Sequence, residues 1–309
     1  MQDQAILCRI LLPKSRAESH DRGMGLAELV SQTKKHAQAD GTAPTAIPFL
    51  WLIRASTPTP LRSGILEPSI CLVVQGEKRL LVGREAHRYG AGSYCMSALE
   101  FPTAGKVVTA PYQAIRIVLD VREIAQIILD GEIEAAPPPR GPAVFVAAAD
   151  ERMLRCIQRL LDLLDEPDAP TFLAEAARRE IIYRLLKSPG APLIVRSVKP
   201  ANLGVGRAVD WLRRYFDRPM DIEALARASR MSVSALRHEF KATTALAPLQ
   251  FQKHLRLQEA RRLLLAGGVD AGTAAFRVGY ESPSQFSREY RRMFGAPPIR
   301  DIQKVELVS

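Results

Sequence analysis

Two groups of polar side chains near the C-terminus have the residue types and the spacing that recognition of nucleic acid requires. Each group recurs at steps of three and four residues, so its members project from one side of a helix. Arginine can donate two parallel hydrogen bonds to a guanine edge, and other cationic side chains can bind phosphates. The candidate DNA-binding residues are Ser234, Arg237, His238 and Lys241 in the first group, and Ser284, Gln285, Arg288, Arg291 and Arg292 in the second. Arg288 is the best candidate for a guanine contact, whereas Lys241, Arg291 and Arg292 are better suited to phosphates.

The two groups belong to an internal repeat. Residues 221–248 match residues 271–298 at a fixed offset of fifty. The aligned pairs include Ala224 with Ala274, Arg227 with Arg277, Ser232 with Ser282, Leu236 with Phe286, Glu239 with Glu289, Phe240 with Tyr290 and Pro248 with Pro298. The same small unit has therefore been built twice.

Each copy predicts a short helix, a tight turn and a second helix. In the second copy, Gly279 can adopt the left-handed conformation that closes a helix. Ser282 and Gln285 are spaced as a capping box, so the next helix is expected to begin there and to run to Phe294. Gly295 stops it.

The first copy has Ser232 as its cap, but its turn lacks a glycine. One residue of Ser229–Met231 is therefore expected to accept a strained φ. Between the copies, Pro248–Leu265 predicts one continuous helix that fixes the separation of the two units. Two helices held about 34 Å apart could enter successive major grooves of one duplex.

The distribution of charge supports a polyanion as the partner of this region. The net charge is +10. Residues 199–309 contain 19 Lys and Arg against 11 Asp and Glu, whereas residues 1–198 contain 24 against 22. A basic domain beside a nearly neutral one favours binding to nucleic acid.

Several of these segments resemble the AraC/XylS family of regulators over about residues 205–303. They are Ala208–Leu212, Met231–Leu236, Arg256–Leu263 and Val278–Arg288. The N-terminal half is similar to the companion domain of one AraC subgroup through Glu67–Gly76 and through Pro111-Tyr112. The resemblance implies binding to double-stranded promoter DNA, activation of transcription and RNA polymerase as a partner. It also implies a cupin-like domain that binds a small-molecule effector or forms a homodimer.

The expected fold class is α+β: an N-terminal cupin-like β-barrel with following helices, then an all-α domain with two helix-turn-helix units joined by a long helix. The predicted divisions are a poorly ordered arm (1–45), a β domain (46–136), a helical segment (137–190), a linker (191–204) and a DNA-binding domain (205–309). Within the β domain, Val73–Val82 predicts a hairpin that turns at Gln75-Gly76. The prolines of 188–201 favour the linker.

The alternative hypothesis is a cupin-type metal-dependent enzyme or sensor fused to a DNA-binding module. It has little support in the residues: His87 is the only histidine of the β domain, whereas a cupin metal site needs several convergent ligands. Phosphate-loop and nucleophile-elbow motifs are missing, so no catalytic residue, metal or cofactor is expected. Cys71 and Cys95 are expected to be small buried hydrophobes, with a redox role as the less favoured reading.

No membrane partner is expected either. The best apolar run, Ala46–Ile53, is eight residues long, whereas a bilayer span needs about 20. The N-terminus carries Asp3 and no basic lead-in before its apolar residues, which does not suggest a secretory signal. The sequence therefore predicts a cytoplasmic protein.

Overall fold

The computed structural model describes residues 16–82, 85–131, 144–166, 171–198 and 200–306. The strands are β1 (Gly41–Pro44), β2 (Leu50–Ala55), β3 (Arg62–Leu66), β4 (Ser69–Val82), β5 (Glu85–Gly90), β6 (Ser93–Ser97), β7 (Phe101–Val118) and β8 (Val144–Ala148). The helices are α1 (Arg16–His36), α2 (Val121–Asp130), α3 (Glu151–Asp162), α4 (Thr171–Leu186), α5 (Ala191–Ser197), α6 (Pro200–Arg214), α7 (Ile222–Ser229), α8 (Val233–Thr244), α9 (Pro248–Leu265), α10 (Ala271–Arg277), α11 (Pro283–Phe294) and α12 (Pro298–Glu306). The predicted α+β class is confirmed.

The eight strands form one antiparallel sheet in the order β1-β2-β7-β4-β6-β8, with β3 added to β7 and β5 added to β4. The long strands β4 and β7 pair with each other along much of their length. On its other edge β4 pairs first with β6 and then with β5, and β7 pairs first with β3 and then with β2. Residues along β4 alternate between two cores: Ile70 and Leu72 face one, whereas Cys71 and Val73 face the other. This alternation is what a sheet covered on both faces requires.

The hairpin predicted at Gln75-Gly76 is wrong. β4 continues through this point to Val82, and its register against β7 shifts between Val73 and Lys78, so the chain forms bulges instead of turning back. Gly76 has φ +76°, and a Cβ placed there would lie 2.4 Å from the carbonyl oxygen of Thr109. The glycine therefore serves a close approach of two strands, a non-local cause that local turn signals do not reveal.

The prediction of a poorly ordered arm over residues 1–45 is also wrong for the part that the structure describes, while residues 1–15 lie outside that part. Residues 16–36 form α1, and β1 pairs with β2. Leu29, Thr33 and Ala37 are buried along one side at steps of four residues. Only Leu29 is a large hydrophobe, so the apolar periodicity is too weak to be seen in the sequence.

Two further boundaries differ from the prediction. The segment expected to be helical from 137 contains β8, which pairs with β6. The expected linker contains α5, and α6 begins at Pro200. Pro192 and Pro200 stand in the first turns of these helices, where a proline is tolerated. Leu193 and Ile194 are buried, and their packing explains why this segment is not a free linker.

In the C-terminal domain, α9 serves both repeat units. It follows α8 as the last helix of the first unit and packs against α10 and α11 in the second. Its bounds, Pro248–Leu265, and its inward residues Leu257, Ala260 and Leu264 confirm the prediction.

The repeat differs slightly from the fixed offset of fifty. The N-caps Asp221 and Asp270 are 49 residues apart, because the stretch from this N-cap to the N-cap of the next helix, Ser232 or Ser282, is one residue longer in the second copy.

The β domain shares a buried core with α6 and the first helix-turn-helix unit. One continuous cluster of buried residues contains Ala98 and Leu99 of the β domain together with Val205, Val209 and Leu212 of α6. At the edge of this contact, the Arg213 Nε lies 2.8 Å from the Glu100 Oε2.

None of the helices within the described residues has the length and apolar character that crossing a membrane would need.

Candidate nucleic-acid interface

The sequence of α11 determines where this helix begins and ends. The Ser282 Oγ accepts a hydrogen bond from the Gln285 backbone N–H at 3.3 Å, and Pro283 occupies the first turn. Gly295 ends the helix in the left-handed conformation at φ +82°. Start and end confirm the prediction, except that the Gln285 side chain donates to Glu289 instead of closing a capping box.

The core of the second unit orients α11. Phe286 and Tyr290 are fully buried. The Tyr290 hydroxyl donates to Asp301 of α12 at 2.9 Å, and Arg261 of α9 donates to the same carboxylate. With about 100° between successive residues, Arg288 then points directly away from the buried side.

All five candidate residues on α11 are exposed, and they lie around this outward direction. They are Ser284, Gln285, Arg288, Arg291 and Arg292. A concavity with a volume of about 350 Å³ lies along the same side of α11. It is lined by Gln285, Arg288, Glu289 and Arg292. The arrangement provides three guanidinium groups and one amide on a single solvent-facing surface.

Glu289 is the acidic group at the edge of this surface, and the protein neutralises it internally. Its carboxylate accepts from Lys253 of α9 at 2.6 Å and from the Tyr280 hydroxyl at 2.9 Å. Although burial opposes this, the hydrogen bonds from Lys253, Gln285 and Tyr280 lower the pKa of Glu289. The negative charge is therefore bound within the domain, and the three arginines remain available to a ligand.

The first unit presents α8 in the same way. Ser232 caps the helix, and Leu236 and Phe240 are fully buried. All four candidates on α8 are exposed: Ser234, Arg237, His238 and Lys241. The His238 Nδ1 lies 3.3 Å from the neighbouring Glu239 carboxylate.

The turn of the first unit contains the strained residue that the sequence predicts. Arg230 has φ +56°, a left-handed conformation that is unfavourable for a residue with a side chain. The Arg207 guanidinium of α6 donates to the Ser229 carbonyl at 2.8 Å and helps to hold this turn.

A junction that the sequence did not reveal connects the two units. The Arg256 guanidinium of α9 donates to three carbonyls: Phe216 at 2.6 Å, Arg218 at 2.7 Å and Gly279 at 2.7 Å. The buried Gln252 also donates to the Arg218 carbonyl at 2.8 Å. Two of the three carbonyls follow α6 in the first unit and one lies in the turn of the second, so Arg256 ties both units to their shared helix.

Gly279 completes this junction. Its φ is +87°, and a Cβ there would lie 1.9 Å from the Asp217 carbonyl oxygen. The sequence predicted the left-handed φ but not the contact with residue 217, because that contact depends on how the units pack. In the sequence, the only signal for Arg256 was its place within a helix that resembles the family.

The residues considered for other chemistry are not gathered into a site. No group of three or more His, Cys, Asp or Glu among the described residues could hold a metal ion. Cys71 and Cys95 are buried and face each other across β4 and β6. Burial raises the pKa of the Cys95 thiol to about 12 and also raises that of Cys71. Both thiols therefore stay protonated and unreactive near neutral pH.

A β domain joined to two helix-turn-helix units with a shared central helix defines a two-unit helix-turn-helix protein. Comparison with known proteins agrees with this class. The family described as the AraC-type transcriptional regulator N-terminus matches residues 46–193, and the helix-turn-helix domain matches residues 225–303. The chain belongs to the AraC/XylS family of transcriptional regulators.

Individual relatives are distant. The transcriptional regulator ExsA of Pseudomonas aeruginosa is 25% identical over 173 residues, which are 56% of this chain and 62% of ExsA. The transcriptional activator RhaS of Pectobacterium carotovorum is 26% identical over 153 residues, which are 50% of this chain and 54% of RhaS. The chain thus spans less than two thirds of the length of either relative. The crystal structure of apo ToxT from Vibrio cholerae has the same fold at a TM-score of 0.54, with 8% identity, 84% of this chain and 98% of ToxT covered.

Proposed function

We propose that this protein is a sequence-specific regulator of transcription that binds double-stranded promoter DNA and activates the genes it controls. The observation that carries the proposal is the outward face of α11, where Arg288, Arg291 and Arg292 are exposed on a helix whose other side is fixed by buried Phe286 and Tyr290. The major groove of B-DNA is wide enough to admit a helix presented in this way.

The exposed residues divide into two roles. Arg288 points straight outward and is best placed for a bidentate bond to guanine. Phosphates would be bound by Lys241, Arg291 and Arg292, which lie to the side of the outward direction of their helices. Contacts to phosphates position the protein but carry no sequence information. The remaining polar candidates Ser234, Arg237, His238, Ser284 and Gln285 would contact base edges, phosphates or bridging water.

RNA polymerase, a small-molecule effector and a second copy of the chain complete the proposed partners. The name of RhaS supports activation, which requires contact with polymerase. ToxT, which shares the fold, has been solved with a bound unsaturated fatty acid, and this supports an effector site in the β domain. The outer face of α4 exposes 67% of Phe172 and 41% of Tyr183, which supports a homodimer through this helix. Because the proposed target is the chromosome, we expect the protein to act in the cytoplasm.

A mobility-shift titration over the DNA upstream of its own gene tests the proposal. We expect one fragment to bind at least about a thousandfold more tightly than random DNA of equal length. Affinity should fall steeply as salt rises, because binding to phosphates releases counterions. If no fragment exceeds random DNA and the salt dependence is flat, the proposal is wrong.

A further inference from the structure

A second concentration of arginine lies in the N-terminal domain, between α3 and α4. The two helices enclose a cavity of about 210 Å³. Its lining residues are Arg152, Arg155, Cys156, Arg159, Glu180 and Arg184. Four guanidinium groups and one carboxylate thus converge on a single concavity.

The internal ion pairs do not balance this charge. Glu180 contacts Arg159 and accepts a hydrogen bond from Arg184 at 3.2 Å, so one carboxylate serves two guanidinium groups. Arg155 pairs with Glu151 one turn earlier on α3, at 2.9 Å.

Two arginines of the cavity have donors without a partner among the described residues. Arg152 has no hydrogen bond or ion pair with any residue that the structure describes. The Arg184 Nε is buried and also lacks a hydrogen-bond acceptor within the described part of the chain. The cavity therefore has both an excess of positive charge and unused hydrogen-bond donors.

Like charges held this close repel one another, and a bound anion would relieve the repulsion. Guanidinium groups bind oxyanions with two parallel hydrogen bonds, a geometry that suits phosphate. The volume lies below the roughly 300–1,000 Å³ of sites for drug-sized ligands, which restricts the ligand to a small group. We propose that the cavity between α3 and α4 binds inorganic phosphate or the phosphate group of a small metabolite, held between the arginines of α3 and Arg184 of α4.

Such a ligand bridges the two helices and stabilises the folded chain by mass action. The test uses the full-length protein with inorganic phosphate as the probe, at an ionic strength held constant with sodium chloride. Calorimetric titration and thermal unfolding are both measured. We expect one saturable site for each chain and a melting temperature that rises with phosphate.

The discriminating variant is Arg152→Gln combined with Arg155→Gln. Both side chains are exposed, so folding should be unaffected, and phosphate affinity should fall at least about tenfold, as expected for lost charge-assisted hydrogen bonds. The matched control Arg122→Gln removes an arginine from α2 that is 93% exposed and should leave phosphate binding unchanged. Arg288→Ala should also retain it, which excludes binding at α11.

Three results would overturn the proposal: no saturable binding, equal binding by the double variant and the wild type, or citrate binding as tightly as phosphate at the same ionic strength. The last result would indicate a general anion surface and not a phosphate site. DNA affinity in the absence of phosphate serves as the separate readout of the proposed function, and the double variant should not change it.

Discussion

At equivalent positions, α8 and α11 carry different side chains. Arg288 on α11 corresponds to His238 on α8, Arg292 corresponds to Ala242, and Gln285 corresponds to Ala235. The second unit therefore offers more donors and more charge than the first. Alanine can contact only the methyl group of thymine or leave a base unread. We infer that α11 supplies most of the affinity and that α8 extends the site at lower energy.

Replacement of Arg288 by alanine tests this difference. We expect a loss of about 1–3 kcal/mol of binding free energy that is confined to one base position, because a bidentate guanine contact discriminates among bases. His238→Ala should cost less. Mobility shifts on a panel of single-base variants of the site provide the measurement, and Arg277→Ala, an exposed arginine on α10, is the charge-matched control. A uniform loss on every sequence would assign Arg288 to phosphate.

At the scale of elements, local signals were sufficient wherever a helix is bounded by its own residues. Pro248 begins α9, Ser282 caps α11 and Gly295 closes it, and each of these residues acts within one turn. The bounds of both helices could therefore be predicted from the sequence. The bulge at Gly76 could not, because its cause is a carbonyl more than thirty residues away on β7. α1 was missed because its packing partner is α3, far along the chain.

A comparison of Gly279 with Gly267 distinguishes backbone strain, which is local, from a steric clash that depends on how the two units pack. Gly267 has a similar positive φ of +74° with nothing within 4 Å of a Cβ, whereas a Cβ at Gly279 would overlap the Asp217 carbonyl oxygen. Gly267→Ala should cost about 1–2 kcal/mol of unfolding free energy through backbone strain alone. Gly279→Ala should cost clearly more, because the turn must also move away from the first unit. Urea unfolding of both variants measures the difference, and equal losses would show that the junction is looser than the structure indicates.

We infer that Arg256 helps to orient the two units relative to each other, a role that differs from stability alone. Arg256→Ala removes three hydrogen bonds to carbonyls and should lower the unfolding free energy by about 2 kcal/mol or more. It should also let the protein tolerate insertions of one or two base pairs between the sequences that α8 and α11 contact. The wild type should not tolerate them, since rigid units require a fixed spacing.

The matched control for this experiment is Arg262→Ala on the same helix. That side chain is 65% exposed and, among the residues that the structure describes, pairs only with Glu259. The control should keep both the stability and the strict spacing of the wild type. If the Arg256 variant binds with unchanged spacing preference, the junction stabilises the domain without orienting it.

At the scale of the whole molecule, the β domain and the first helix-turn-helix unit share one core. Ala98 and Leu99 belong to the same buried cluster as residues of α6, so the β domain and the C-terminal helices meet without an intervening flexible linker. Nothing in the sequence predicted this, because each side of the contact looks like the ordinary apolar face of its own element.

The protonation of Glu100, at the edge of this contact, should make the free energy of unfolding depend on pH. Burial raises the pKa of its carboxyl group to about 7, and the negative charges of Glu67 and Asp210 add to the effect, while Arg213 opposes it. The Arg213 Nε and the Glu100 Oε2 are buried and close together, but they lack the geometry of a hydrogen bond. The attraction of Arg213 therefore does not offset the effect of burial, and the pKa of Glu100 stays above its ordinary value.

The direction of the pH effect follows from these values. The folded protein holds the Glu100 proton up to about pH 7, whereas the unfolded chain releases it near the ordinary value of 4.5. Between these limits the folded state binds more protons, so the free energy of unfolding should fall as pH rises from about 5 to 7. A total decrease of about 1–3 kcal/mol is expected for a shift of this size at a partly exposed group.

Denaturant unfolding of the wild type and of Glu100→Gln across this pH range isolates the contribution. Glutamine stays neutral, so the variant should lose this part of the decline. Groups such as His254, whose pKa is lowered by burial and by Arg292, act in the opposite direction and cancel in the comparison. If the two proteins show parallel pH profiles, Glu100 is solvated in solution, and the two domains do not maintain the contact between Glu100 and Arg213.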